Sequence, residues 1–248
     1  MGKGNIIGVP NEPTVSVASG VWSLREQVLA HRDGVWPLYF IDGLQLWLDA
    51  SDTNSYPDTG STWYDISSSD FDASITGLVY TSDAGGGLTS GAGDQVNVPS
   101  GLDFSGGGFT MSVWVNHTST TGVQRYFTIG STPLEGPTIR NSSGAAHAYV
   151  FDSTSTIREI TVASAISTSN YYNFVFTYDG TTFRLYKNNV EIGTLAVSVT
   201  LPTPNVATLG AGAEALMGNI YGAEYYNRAL STDEITLNYN RLKGRFGL

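Results

Sequence analysis

The sequence predicts an all-β domain that ends in one helix, and three observations support this fold class. The 248 residues include 29 glycines and 14 tyrosines, and only 14% are charged, which is typical of short strands joined by tight turns. Alternating apolar segments recur from Leu44 onward. Residues 219–246 then join a strand pattern directly to a capped helix.

The N-terminal region lacks the β pattern. Residues 1–21 are rich in glycine, proline and small side chains, which indicates an extended arm. A capping box at Ser23 and Glu26 then opens a short helix. The sequence therefore predicts a docking arm with a short N-terminal helix, residues 1–37, followed by a β domain, residues 38–248.

Large apolar side chains in the arm are the predicted docking contacts. We expect Trp22, Leu24 and Trp36 to contact a partner protein. The alternative is that the arm packs on its own domain as a structural cap.

Strand patterns follow in order along the β domain. Bulky residues on both faces of Leu44–Asp49 predict a strand that is covered on both sides. Trp47 and Trp114 lie inside strand patterns and are predicted core residues. Further strands are predicted at Gln95–Val98, Phe109–Asn116, Arg125–Ile129, Ala148–Phe151 and Glu159–Val162.

Residues 171–196 predict a three-stranded antiparallel meander. The dipeptides Asp179-Gly180 and Asn188-Asn189 separate three strand-like runs, and both dipeptides favour the positive φ of tight hairpin turns. Alternation also predicts a more polar second face of this sheet, which carries Asn173.

The C-terminal helix has a start signal and a stop signal. Ser231 and Glu234 form a capping box, and Gly244 stands where a glycine would end the helix. The basic residues Arg241, Lys243 and Arg245 are interpreted as favourable partners of the negative end of the helix dipole.

Several segments resemble the laminin-G-like branch of the concanavalin A-like lectin and glucanase jelly rolls. They read LQLWLDASDTNSYPDTGSTWYDIS, GDQVNV, FTMSVWV, YYNFVFTYDGTTFRLYKNNVEIGTL and GNIYGAEYYNRALSTDEITLNYNRLKGRF. The resemblance spans about residues 43–246. It implies a two-sheet antiparallel jelly-roll sandwich.

A second resemblance concerns the ends of the chain. The arm ASGVWSLREQVLAHRDGVWP and the ending LNYNRLKGRFGL are similar to those of structural proteins of tailed, especially marine, bacteriophages. This resemblance implies a virion protein that is made in the host cytoplasm and docks on other virion proteins through its arm.

Composition argues against several classes of partner. The net charge of −10 disfavours a nucleic-acid backbone, which needs clustered Lys and Arg. The absence of cysteine removes disulfides and thiolate metal clusters. The N-terminus lacks an apolar signal core and the chain lacks a run of about 18 apolar residues, so neither Sec export nor membrane insertion is expected.

The sequence predicts no enzyme. Glucanases of the superfamily carry an E-x-D-x-E run, because retaining hydrolysis needs two carboxylates about 5–5.5 Å apart. No such run occurs here, although carboxylates could still converge from separate strands. The histidines His31, His117 and His147 show no metal-ligand spacing and are expected in loops or on the surface.

A structural calcium ion at Asp94 is a further hypothesis from the resemblance, since relatives have an acidic pair before this strand. Here the second position is Gln95, and Tyr221 stands where many relatives carry an acid. The alternative is that Asp94 is a turn carboxylate that accepts backbone N–H groups, with no cofactor bound.

Sugar binding needs an aromatic platform beside amide or carboxylate groups, because a pyranose face is apolar and its rim is hydroxylated. Trp63, Tyr64 and Asp65, beside the loop that holds Asp52 and Asp58, are the candidates. The alternative is that Trp63 packs in the core.

These observations predict a non-catalytic bacteriophage virion protein, such as a capsid decoration, head-fibre or tail-associated protein, whose lectin-like domain contacts host glycans. We expect a homo-oligomer, because virion fittings sit on symmetric lattices. The alternatives are a carbohydrate-binding module of a cellular surface or secreted protein and a glycan hydrolase.

Overall fold

The computed structural model describes residues 42–104, 107–131, 134–152, 154–201, 206–210 and 212–248. The predicted arm and short helix of residues 1–37, with the docking candidates Trp22, Leu24 and Trp36, lie outside the described residues. Residues Gly43–Leu248 form one compact unit.

Two antiparallel sheets of eight strands each make up the described part of this unit. The first sheet contains β1 (Leu44–Asp49), β4 (Val79–Thr81), β5 (Gly87–Ser90), β7 (Phe109–His117), β12 (Tyr171–Tyr178), β13 (Thr182–Lys187), β14 (Val190–Ala196) and β16 (Gly218–Tyr226). The second contains β2 (Thr62–Trp63), β3 (Ala73–Thr76), β6 (Gln95–Val98), β8 (Val123–Ser131), β9 (Leu134–Ser142), β10 (Ala145–Phe151), β11 (Ile157–Val162) and β15 (Ala207–Leu209). The predicted all-β sandwich is confirmed.

The strand order brings distant segments together. The first sheet runs β14-β13-β12-β7-β16-β5-β4, with β1 paired to β16, and the second runs β11-β10-β9-β8-β15-β6-β3-β2. The predicted meander is confirmed as β12, β13 and β14, and Gly180, Asn188 and Asn189 have positive φ in its turns.

Aromatic side chains fill the space between the sheets. Trp63, Phe109, Phe174 and Phe176 are fully buried, and the rings of Phe109 and Phe176 meet edge to face at 5.2 Å. Full burial of each such side chain stabilises the fold by about 1.5–3 kcal/mol. Because these side chains point into the core, the neighbouring residues on the same strands point away from it.

The C-terminal helix, α1 (Thr232–Leu242), has the predicted capping box, in which Ser231 and Glu234 satisfy each other's backbone N–H groups. The α-helix ends at Leu242 with Lys243 as its C-cap, so Gly244 stands at the predicted C′ position. Gly244 does not have a left-handed φ, however, and the chain continues in a 3₁₀ turn, Lys243–Phe246. Gly247 is the glycine with left-handed φ, at 70°.

Helix α1 covers the outer face of the first sheet. The predicted polar face is present but buried, since Asn173 is 2% exposed and lines a small gap with Ile235 and Asn238 of the helix. Trp114 lies under the end of the helix, stacked on Tyr239 at 5.6 Å. Trp47 is only partly buried, so its predicted place in the core is wrong.

Within the described ranges, no helix has the length and hydropathy of a membrane span.

Candidate functional site

The loop that joins β1 to β2, residues 50–61, is folded by hydrogen bonds to Asp52. Its carbonyl accepts the N–H groups of Ser55 at 2.9 Å and Tyr56 at 2.7 Å. Its Oδ1 accepts both the backbone N–H of Asn54 at 2.9 Å and the side-chain Nδ2 of Asn54 at 3.0 Å. The loop therefore presents an oriented amide and carboxylate, with Asn54 exposed and Asp52 partly exposed.

Tyr64 lies beside this loop. Its backbone N–H donates to the Ser55 carbonyl at 2.8 Å, and the Ser55 hydroxyl donates to the Tyr64 carbonyl at 2.7 Å. The side chain of Tyr64 is 43% exposed, whereas that of Trp63 is fully buried, because successive strand residues point to opposite faces. Trp63 therefore offers no ring to a sugar, which corrects its selection as a binding residue.

Asp65 organises the chain rather than facing solvent. Its Oδ1 accepts the N–H groups of Trp47 and Ser67, each at 2.9 Å. Its Oδ2 accepts the Ser67 hydroxyl at 2.7 Å and the Phe71 N–H at 3.0 Å. With four donors and 8% exposure, Asp65 has no lone pair left for a ligand. Of the three predicted residues, only Tyr64 reaches the surface, and Asp52, Asn54 and Tyr64 together form what we call the loop surface.

Asp94 has the contacts of a turn carboxylate. Its Oδ2 accepts the Gly91 N–H at 2.8 Å, and its Oδ1 lies so close to Gly77 that a Cβ there would approach it to 1.9 Å. In the part of the chain that the structure describes, no group of three or more His, Cys, Asp and Glu residues could hold a metal ion. The residues at Asp94 therefore do not fit a carboxylate-rich calcium site.

Carboxylates from separate strands do converge, under α1. Glu224 of β16 is opposite Trp47 of β1, and the charge of Asp49 acts on Glu224. Burial raises the pKa of Glu224, against the lowering effect of Arg241, which donates to its Oε1. The two carboxylates, Glu224 and Asp49, are thus enclosed, and each is bound by an arginine.

Arg245 holds the other carboxylate of this pair and three further oxygens. Its Nη1 donates to Asp49 Oδ1 and to Ser51 Oγ, each at 2.7 Å, and its remaining nitrogens donate to the carbonyls of Ala84 and Gly86. Arg241 and Arg245 therefore bind specific acids, which the dipole interpretation missed. The only signal for these contacts in the sequence was that Arg241, Lys243 and Arg245 lie close together without an acidic residue among them.

The described histidines are not loop residues. His117 is 1% exposed, and its Nε2 lies 3.0 Å from the Tyr126 hydroxyl. Burial lowers the pKa of His117 to about 4. His147 lies on β10, where its Nδ1 is 2.7 Å from Glu159 Oε1. The predicted loop or surface location is wrong for His117, and His31 lies outside the described residues.

A family model described as the concanavalin A-like lectin/glucanases superfamily matches residues 90–236. No curated protein matches the chain.

Similar solved structures are binding domains of botulinum neurotoxins. The serotype D binding domain has a TM-score of 0.65 at 13% identity, over 81% of this chain and 52% of that chain. The serotype DC binding domain in complex with SialylT has a TM-score of 0.64 at 15% identity, over 82% and 52%. The serotype D domain in complex with N-acetylneuraminic acid has a TM-score of 0.63 at 12% identity, over 81% and 51%.

These identities establish a shared fold and nothing further. The chain spans about half the length of the solved structures it matches.

Proposed function

Because the chain belongs to the concanavalin A-like lectin/glucanases superfamily, we propose that it is a non-catalytic domain that binds carbohydrate at the loop surface of Asp52, Asn54 and Tyr64. The ring of Tyr64 would cover the apolar face of a sugar, and the amide and carboxylate would bind its hydroxyl groups.

The exposure of Tyr64 is the observation that carries this proposal. At 43%, it is the most exposed aromatic side chain among the described residues. Its backbone is tied to Ser55, the neighbour of Asn54, by two hydrogen bonds, which fixes the position of its Cα beside the loop. Such fixed geometry lowers the entropy that binding costs.

Two neurotoxin domains named above were solved with SialylT and with N-acetylneuraminic acid. They make a glycan ligand a reasonable choice for this fold.

The arrangement under α1 supports binding without hydrolysis. A hydrolase needs two carboxylates that reach a glycosidic bond. Glu224 is 5% exposed and paired with Arg241, and Asp49 is 7% exposed and paired with Arg245. Release of reducing sugar from β-glucans by the purified chain would contradict this part of the proposal.

A glycan array followed by calorimetry tests the loop surface. We expect Tyr64→Ala to lower affinity for any sugar that binds by about tenfold or more, as expected for loss of one aromatic platform. Tyr64→Phe keeps the ring and should bind nearly as well as the native chain. Leu237→Ala, at an exposed position on α1, is the matched control. Equal affinity of the native and Tyr64→Ala chains would overturn the assignment of the site.

We also propose the virion role that the ends of the sequence suggest, with a homo-oligomer that docks through residues 1–37. Deletion of residues 1–37 should abolish incorporation into phage particles while leaving a folded β domain. Normal incorporation of the truncated chain would contradict this role. Tight glycan binding by a chain that mass spectrometry does not find in particles would favour a module of a cellular surface or secreted protein.

A further inference from the structure

Loop 50–61 has a second aromatic side chain on its other flank. Tyr80 belongs to β4, the edge strand of the first sheet, and it is partly exposed. Tyr64 directly follows β2, the edge strand of the second sheet. The loop therefore leads to Tyr64 at the edge of one sheet and contacts Tyr80 at the edge of the other through Tyr56.

Contacts within the loop hold Tyr80 next to a carboxylate. The rings of Tyr56 and Tyr80 lie 5.9 Å apart, and Tyr56 is 3% exposed, so Tyr80 rests on a fixed support. The Tyr56 hydroxyl donates to the Gly60 carbonyl at 3.0 Å, which fixes the far end of the loop. Asp58 follows Tyr56 by two residues in the same loop, which places its carboxylate in the neighbourhood of Tyr80. The Asp58 carboxylate also raises the pKa of the Tyr80 hydroxyl.

Asp58 itself is exposed and has a φ of 62°, in the left-handed region that few side chains other than Asn and Asp adopt readily. The carboxylate is thus displayed at a turn rather than used in the core. The aromatic ring and the acid repeat, on this flank, the combination that Tyr64 and Asp52 provide on the other.

We infer that Tyr80 and Asp58 form a second sugar contact, so that the ligand is an oligosaccharide of two or more units lying across loop 50–61. This inference rests on the proposed function of the loop surface. One unit would contact Tyr64 with Asn54, and another would contact Tyr80 with Asp58. If Tyr80 only packs against Tyr56, binding should not depend on ligand length.

Calorimetry with ladders of glucose, N-acetylglucosamine and mannose oligosaccharides, from monosaccharides to hexasaccharides, tests the inference. For the ladder that binds, we expect affinity to rise about tenfold or more from the monosaccharide to the longer members, as a second aromatic contact would supply. Tyr80→Ala should remove this rise, so that the longer members lose far more affinity than the monosaccharide does, whereas Leu237→Ala should keep the rise intact. Tyr64→Ala should weaken binding at every length.

Asp58→Asn tests the same contact independently, in case Tyr80→Ala impairs folding. Asparagine tolerates the same positive φ, so this variant should fold as the native chain does. It should reduce the rise with length by about threefold, because it exchanges a charged hydrogen-bond acceptor for a neutral one at an exposed site. Length-independent affinity, or equal losses at all lengths in Tyr80→Ala, would overturn the inference alone. Absence of binding to all three ladders and to a glycan array would overturn the proposed function and this inference together.

Discussion

Arg245 donates a hydrogen bond from Nη1 to Oδ1 of Asp49 at 2.7 Å, which ties the last turn of the chain to the end of β1. The same guanidinium binds Ser51 in loop 50–61 and the carbonyls of Ala84 and Gly86. Beside it, Phe246 stacks on Trp114 at 4.4 Å. The C-terminus therefore fixes the start of the loop that carries the proposed glycan surface.

Arg245→Ala should destabilise the domain by about 3 kcal/mol, because it leaves the carboxylate of Asp49 largely buried without its partner. The side chains of this pair are 16% and 11% exposed, so solvent compensates little. Urea denaturation measures the change. Lys243→Ala, in the same turn, should stay within about 0.5 kcal/mol of the native chain. Equal stabilities of the two variants would show that the hydrogen bonds of Arg245 do not stabilise the fold.

Glu224 and Arg241 should be strongly coupled. Arg241→Met alone should cost about 3–5 kcal/mol, because Glu224 is then buried without a cation. Adding Glu224→Leu should restore most of this loss, since a buried pair can often be replaced by apolar residues at little cost. A double-mutant cycle by chemical denaturation gives the coupling energy. Additive single-mutant costs would contradict a direct pair.

The capping box of α1 gives a third prediction. Ser231→Ala should cost about 1 kcal/mol, because the backbone N–H of Glu234 loses its acceptor. Ser231→Asp supplies another acceptor and should retain most of the stability. The midpoints of thermal unfolding distinguish the two variants. If both lower stability equally, the loss does not come from the cap.

The fold followed from local signals in the sequence. Alternation located β1, β6 and β7, and the turn chemistry at Gly180 and Asn188 separated the strands of the meander. Strand β9 was missed because its sequence, LEGPTIRNS, contains Gly136 and Pro137, both unfavourable in strands. In the structure Gly136 is required there, since a Cβ would lie 2.6 Å from the Ile129 carbonyl.

The site was only partly predictable. The segment around Tyr64 was identified from its residue types, but which side chain faces solvent depended on register within a two-residue strand. The partners of Arg245 are up to 196 residues away in sequence, so no local pattern could assign them. Tyr80 was not identified from the sequence as a binding candidate, because its proposed role depends on contacts with loop 50–61 and not on the pattern of its own strand.

Burial of His117 gives a pH prediction. Burial lowers the pKa of His117 from 6.5 to about 4, so the unfolded chain binds a proton that the native chain excludes. Stability should therefore be unaffected above about pH 6.5 and fall as the pH drops toward 4, by about 2 kcal/mol at pH 5 from this residue. The variant His117→Gln tests this prediction, because glutamine retains a polar partner for Tyr126 and cannot titrate. Urea unfolding of both chains between pH 7 and about pH 4.5 should show that the variant loses less stability than the native chain by about that amount. His147→Gln, at a partly buried position on β10, is the control for general effects of losing a histidine. If the native and His117→Gln chains lose stability in parallel, the acid sensitivity arises elsewhere.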